Sequence, residues 1–229
     1  MKLVLFDIDG TLLWTDGAGR RAVHRALHEV YGAPVPEGHE FDGKTDPQIV
    51  RELMLLAGVG ASEVQEHLPR AITRYVEELR YELGEADHGA NVYPGIRVLL
   101  DQLEQRDGVM LGLLTGNVRD GATAKLDAVG IDARRFRVGA FGSDHPDRPE
   151  LPAIARARAE AIVGRPIDGA DVIVIGDTPA DMTCGRGIGA RAIGVATGRY
   201  TEPQLHACGT GSVFADLSDT DAVIAEILR

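Results

Sequence analysis

The chain begins with a short apolar run that ends in a pair of carboxylates. Lys2-Leu3-Val4-Leu5-Phe6 leads directly into Asp7-Ile8-Asp9-Gly10-Thr11. The run is too short and too apolar to stand alone, so it must belong to a sheet built with the rest of the chain. Strand residues i and i+2 share a face, which lets Asp7 and Asp9 converge where the strand ends. Two anions this close repel unless a proton, a cation or hydrogen bonds offset their charge. A hard divalent cation with oxygen ligands meets that need. The same residues also fit a plain strand-ending turn, since Asp, Gly and Thr favour turns through local hydrogen bonds.

The rest of the chain decides between these readings. Val23, Leu27 and Val30 recur at helical spacing, as do Ile49, Leu53 and Leu56, then Val64, Leu68, Ile72, Val76 and Leu79. Residues 16–85 therefore read as an all-helical block. The second half alternates. Strands are expected at Val109 to Leu114, Arg137 to Phe141, Val172 to Ile175, Ala190 to Ala196 and near Val213. Helices are expected at Arg119 to Val129, Glu150 to Val163, near Ala180 and from Asp219. Alternating strands and helices imply a parallel sheet with helices on both faces. The fold class is thus α/β, a Rossmann-like core of residues 1–15 and 86–229 with a helical cap inserted after the first strand. Ligands of open α/β sheets bind beyond the carboxyl ends of the strands. Asp7 and Asp9, Thr115-Gly116-Asn117, and Gly176-Asp177-Thr178-Pro179-Ala180-Asp181 all fall there.

A formal charge of −11 argues against a nucleic-acid partner, because phosphate backbones select clustered Lys and Arg. A small anionic ligand stays possible, since one cation and one arginine reverse the field of a cleft. No apolar run approaches the roughly 20 residues that cross a bilayer, and Leu3 to Phe6 is too short for a signal-peptide core. With only Cys184 and Cys208 and no paired metal-ligand spacing, a cytoplasmic protein without structural disulfides is expected. Cys184 reads as a small buried thiol, and the seven histidines as surface or packing residues.

Three motifs in order, Asp7-Ile8-Asp9-Gly10-Thr11, Leu113-Leu114-Thr115-Gly116-Asn117 and Gly176 to Asp181, together with the helical insert, give nearly the whole chain its likeness. It resembles the haloacid dehalogenase-like hydrolases, and within them the phosphoglycolate-phosphatase-like group with a helical cap. The resemblance implies a phosphatase that uses Mg²⁺ and an aspartyl-phosphate. Asp7 matches the nucleophile and Asp9 the general acid and base. Thr115 matches the hydroxyl that binds a phosphoryl oxygen, with Gly116, Asn117 and the N–H groups of the following helix start adding to that binding. A simple helix cap is the competing reading of Thr115. The metal would be held by Asp7, the main chain of Asp9 and Asp177, with Asp181 orienting a bound water. The family's basic residue is most often a lysine before a helix. Here the matching place holds Arg148, whose guanidinium supplies the same charge as a fork. Lys125 is expected mid-helix facing solvent, and Arg156 and Arg158 lie further along another helix.

In the block, Gly43-Lys44-Thr45-Asp46 looks like a cap segment of that group. Thr45 reads as the N-cap of a helix beginning near Pro47, while Lys44, and Arg20 beside the glycines of a hinge, are candidates to bind the substrate. The partner implied is a small phosphorylated metabolite, phosphoglycolate or a sugar phosphate. The sequence sets no oligomeric state. Dehalogenases of the family lack the second aspartate, so Asp9 favours phosphate esters. A phosphomutase keeps both aspartates and stays open, as does a member that binds phosphate without turnover. Receiver-type switch domains share the acids, threonine and lysine, but lack an insert of this size.

Overall fold

Leu3, Val4, Leu5 and Phe6 have no solvent exposure, and they lie at the centre of a sheet. A computed structural model describes residues 1–85, 87–209 and 211–229. In chain order the elements are β1 (Lys2–Phe6), β2 (Leu13–Trp14), α1 (Ala18–Tyr31), α2 (Asp46–Leu56), α3 (Ala61–Gly84), β3 (Asn91–Val92), α4 (Ile96–Glu104), β4 (Val109–Leu114) and α5 (Arg119–Ala128). β5 (Val138–Ala140), α6 (Leu151–Val163), β6 (Val172–Gly176), α7 (Pro179–Cys184), β7 (Arg191–Val195), α8 (Glu202–His206), β8 (Val213–Phe214) and α9 (Thr220–Leu228) follow.

Six strands make one parallel sheet in the order β5-β4-β1-β6-β7-β8. β1 pairs with β4 on one side, Leu5 opposite Gly112, and with β6 on the other, Leu5 opposite Val174. Strand alternation sends Val4 and Phe6 to one face, where they pack with Ile96, Leu99 and Leu103 of α4 and Ile224 and Ile227 of α9. Leu3 and Leu5 pack on the other face with Leu151, Ala155 and Ala159 of α6. Both faces are covered, as a parallel sheet requires. Burying a side chain such as Phe6 or Leu5 stabilises the fold by about 1.5–3 kcal/mol.

The helices α1, α2 and α3 bury their own cluster, including Leu27, Leu53, Met54, Tyr75 and Leu79, which Val118 of the sheet domain joins. The expected restart of the core at residue 86 lies outside the described residues. Thr45 is the N-cap of α2, accepting from the Gln48 N–H at 3.3 Å, with Pro47 in the first turn. Among the described residues no helix is long and apolar enough to cross a membrane.

Four features depart from the sequence reading, the first being the short helix α8, which that reading lacks. Leu13–Trp14 and Asn91–Val92 pair as an antiparallel ribbon beside the start and end of the helical block. α4 lies in a stretch read only as the return from that block, although Ile96, Leu99, Leu100 and Leu103 sit at helical spacing and are fully buried. The expected strand Arg137 to Phe141 shortens to Val138–Ala140, because the Phe141 N–H turns to the Asp144 carboxylate at 2.9 Å.

Candidate active site

The carboxyl ends of β1, β4 and β6 open into one cavity of about 200 Å³, roofed by the helical block. Asp7, Asp9, Thr115, Gly116, Asn117, Arg148 and Asp177 line it from the sheet side, and Arg20, Lys44, Asp46 and Tyr75 from the block.

Asp7 is buried where β1 ends, its N–H bound to the Ile175 carbonyl at 2.9 Å. Burial lifts its pKa to about 7; Arg148 opposes the rise and the charges of Asp181 and Asp9 add to it. Asp177 is raised well above the usual carboxylate range by burial and by Asp181 and Asp7, while the Thr11 hydroxyl donates to its Oδ1 at 3.1 Å. Asp7, Asp177 and Asp181 each bring an oxygen within 4.8 Å of the others. A side chain at Gly198 would put a Cβ 1.8 Å from Asp177 Oδ2, and one at Gly10 2.3 Å from it. Two glycines therefore allow the backbone to close around this carboxylate.

Arg148 sits in a tight turn before α6 and is only 5% exposed. Its Nη2 lies 3.1 Å from Asp7 Oδ1 and also donates to Asp181 Oδ1. Burial works against its charge, but Asp181 and Asp7 outweigh it and hold the guanidinium protonated. Asp181 has no exposure, and its Oδ2 accepts from the Thr178 N–H at 3.0 Å and hydroxyl at 2.6 Å. That capping box starts α7 and fixes Asp181 at once. Three carboxylates against one guanidinium leave two negative charges uncompensated when all are ionised. An all-oxygen, electron-rich donor set of this kind fits a hard divalent cation.

Thr115 is fully buried, and its Oγ1 accepts from the Asn117 N–H at 3.3 Å and Nδ2 at 2.7 Å. It is not the cap of α5, whose N-cap is Val118. Three N–H groups at that helix start are already taken. Asn117 N–H goes to Thr115, Val118 N–H to Asp46 Oδ2 at 2.7 Å, and Arg119 N–H to the Ser143 hydroxyl at 3.3 Å.

Asp46 thus reaches across from α2, and its own N–H donates to the Gly116 carbonyl at 2.8 Å. A Cβ on Gly116 would lie 2.0 Å from the Lys44 carbonyl, so this contact needs a glycine. Thr45 adds a hydrogen bond from its hydroxyl to the Pro146 carbonyl at 2.7 Å. Burial lifts the Asp46 pKa to about 6, against the opposing pull of Lys125 and the Val118 N–H. Native Asp46 therefore keeps a proton between about pH 4 and pH 6 where the unfolded chain has lost it, and stability falls as pH rises through that window. Asp46→Asn keeps an acceptor for Val118 and has nothing to titrate. Its melting temperature is expected to fall less between pH 4 and pH 6 than that of the parent protein. Equal slopes in thermal melts would mean that Asp46 ionises normally.

Lys44 and Arg20 do line the cavity, but both are engaged within the helical block. Lys44 Nζ pairs with Glu52 at 2.5 Å and lies 3.3 Å from His39 Nε2. Arg20 donates to the His39 carbonyl at 2.9 Å and rests 4.0 Å above the Phe41 ring. Lys125 overturns the expectation of a solvent-facing residue. It is 4% exposed, and its Nζ donates to both Asp9 oxygens, at 2.8 and 2.7 Å, and to Asn117 Oδ1 at 2.6 Å. Its place three residues after Ala122 and just before Leu126, both buried, was the available signal, because it falls on the inner stripe of α5. Cys184 is buried as expected, and burial pushes its thiol up to about 12.

Residues 4–186 match the family model of the haloacid dehalogenase-like hydrolases. The chain belongs to that family. Among relatives of this hydrolase, a phosphoglycolate phosphatase of Rhodospirillum rubrum is 28% identical over 229 residues, covering 95% of this chain and 90% of that protein. A probable phosphatase named IndB, from Dickeya dadantii, is 28% identical over 90% of this chain and 85% of its own. Among solved structures, a hydrolase from Pseudomonas syringae superposes with a TM-score of 0.73 over 99% of both chains at 24% identity, a likeness of fold.

Proposed function

We propose that this hydrolase is a Mg²⁺-dependent phosphatase of small phosphomonoesters, phosphoglycolate or a sugar phosphate, acting through an aspartyl-phosphate on Asp7. The observation that carries the reading is the pairing of Asp7 and Asp9 at one strand end. Asp7 is buried against Arg148, while the Asp9 side chain is 41% exposed on the cavity. Asp7, the Asp9 main chain and Asp177 would hold the ion, with Asp181 beside them, and the ion would offset the charge of the phosphoryl oxygens.

In the first step an Asp7 carboxylate oxygen attacks phosphorus. The bond from phosphorus to the ester oxygen breaks, and that oxygen takes a proton from Asp9. In the second step water attacks the same phosphorus and gives a proton back to Asp9. The bond to Asp7 breaks and inorganic phosphate leaves. Arg148 and the Thr115 hydroxyl stabilise charge on the phosphoryl group. Asp9 favours phosphate esters over halide chemistry, which needs no leaving-group acid. The names of the relatives from Rhodospirillum rubrum and Dickeya dadantii, and a cavity too small for a polymer, support a small ester.

Phosphate release from phosphoglycolate and a panel of sugar phosphates, with Mg²⁺ and with EDTA, tests the reading. Release that requires the ion is the expected result. Isomerisation of a hexose phosphate without release would replace the phosphatase by a mutase. A folded protein that binds Mg²⁺ and turns over nothing would leave a binding role.

A further inference from the structure

Asp9 does not hang freely into the cavity. Lys125 Nζ donates to both its oxygens, and Asn117 Nδ2 donates to Oδ2 at 2.7 Å. Lys125 also donates to Asn117 Oδ1, and Asn117 in turn donates to Thr115. Lysine has three N–H donors, and Asp9 Oδ1, Asp9 Oδ2 and Asn117 Oδ1 account for all of them. Lys125 therefore has no donor left for a substrate. A carboxylate offers about four acceptor positions. Three are taken here, and the one remaining is on Oδ1. α1 closes over the ammonium from above, with a Cβ on Gly19 falling 3.5 Å from Nζ. An ammonium this well buried is costly unless paired, and its partners here are the carboxylate and the amide of the site.

We infer that Lys125 is a positioning residue for the proposed phosphatase reaction, aiming the Asp9 carboxylate so that the remaining acceptor position of Oδ1 meets the oxygen of the departing group. The triangle of Lys125, Asp9 and Asn117 also fixes Asn117 against Thr115, so the strand ends of β1 and β4 are set relative to each other. The inference rests on the phosphatase reading and assigns Lys125 the larger share of a task in which Asn117 assists, since only Lys125 holds both Asp9 oxygens. An alkyl oxygen leaves poorly without help at the leaving atom, whereas an aryl oxygen leaves readily. Misaiming Asp9 must then slow the first step of alkyl esters selectively, while the second step is common to both esters. A loss of packing would lower turnover of both alike.

The test is kcat/KM, which reports the first step, of Lys125→Met on the best alkyl phosphate of the panel and on p-nitrophenyl phosphate, with Lys125→Gln as a second variant and thermal melts of each. The expected loss is about a hundredfold for the alkyl ester, in the range of general acid–base contributions, and under about tenfold for the aryl ester. In an Asp9→Asn background, Lys125→Met is expected to add less than about a twofold further loss, because the two act through one group. Equal losses on both esters, additive losses in the double variant, or failure of both lysine variants to fold would overturn the inference. A parent protein that hydrolyses neither ester would instead remove the phosphatase reading beneath it.

Discussion

Asp7→Asn is expected to abolish phosphate release, with kcat falling by about a millionfold as when other covalent nucleophiles are removed. Asparagine keeps the size of the side chain and loses the attacking oxygen, so binding of Mg²⁺ weakens without loss of the fold. The same change is expected to stabilise the protein in EDTA above neutral pH. Native Asp7 has its pKa lifted to about 7 by burial, with the help of Asp181 and Asp9. Its folded value thus exceeds its unfolded one, so stability falls as the pH rises from about 4 to about 7, and the full penalty is present above neutral pH. A neutral amide at that position removes the penalty. The combination of lost turnover with a higher melting temperature at pH 8 is the mark of a strained catalytic group. Residual turnover within about tenfold of the parent would show that Asp7 is not the nucleophile.

The site was legible where its residues sit at the ends of long apolar strands. β1, β4 and β6 are buried throughout, so they read as apolar runs, and whatever follows them must lie at the carboxyl edge of the sheet. That logic reaches Asp7, Asp9, Thr115 and Asp177. Arg148 was found by its place before a helix, and its contact with Asp7 and Asp181 spans distances no local pattern encodes. Lys125 was misplaced for the same reason. A lysine on a helix is most often solvated, and its partner Asp9 lies 116 residues away. The β2–β3 ribbon is two residues on each side, too short for any periodicity to appear. Lys44 and Arg20 were placed on the right cavity, but Glu52, His39 and Phe41, which hold them, could be assigned only from packing. Of the helix-start N–H groups offered to phosphate, that of Val118 is taken by Asp46, a residue whose contribution to the sheet domain depends on the fold of α2.

Arg148→Met is expected to lower both turnover and stability, and the two losses share one origin. The guanidinium is the single cation touching Asp7 and Asp181 among the described residues. Removing it leaves two buried carboxylates facing each other and Asp177 without a counter-charge. Breaking a buried pair in this way costs about 3–5 kcal/mol, and loss of one charge-stabilising donor in a reaction centre costs about a hundred- to a thousandfold in kcat. Because Arg148 pulls the Asp7 pKa down, its removal pushes that pKa further up. The deficit in stability is therefore largest above neutral pH, where the carboxylates ionise, and shrinks near pH 5, where the native cluster takes up protons. Urea unfolding at both pH values in EDTA measures the difference. Mg²⁺ is expected to recover part of the stability at pH 8, since it supplies positive charge to the same oxygens. Arg148→Lys separates charge from shape. A single ammonium reaches one carboxylate well, while the planar fork spans two, so the lysine variant is expected to regain more stability than turnover. Full activity with methionine at this position would mean that the cation neutralising the phosphoryl group lies elsewhere in the cavity.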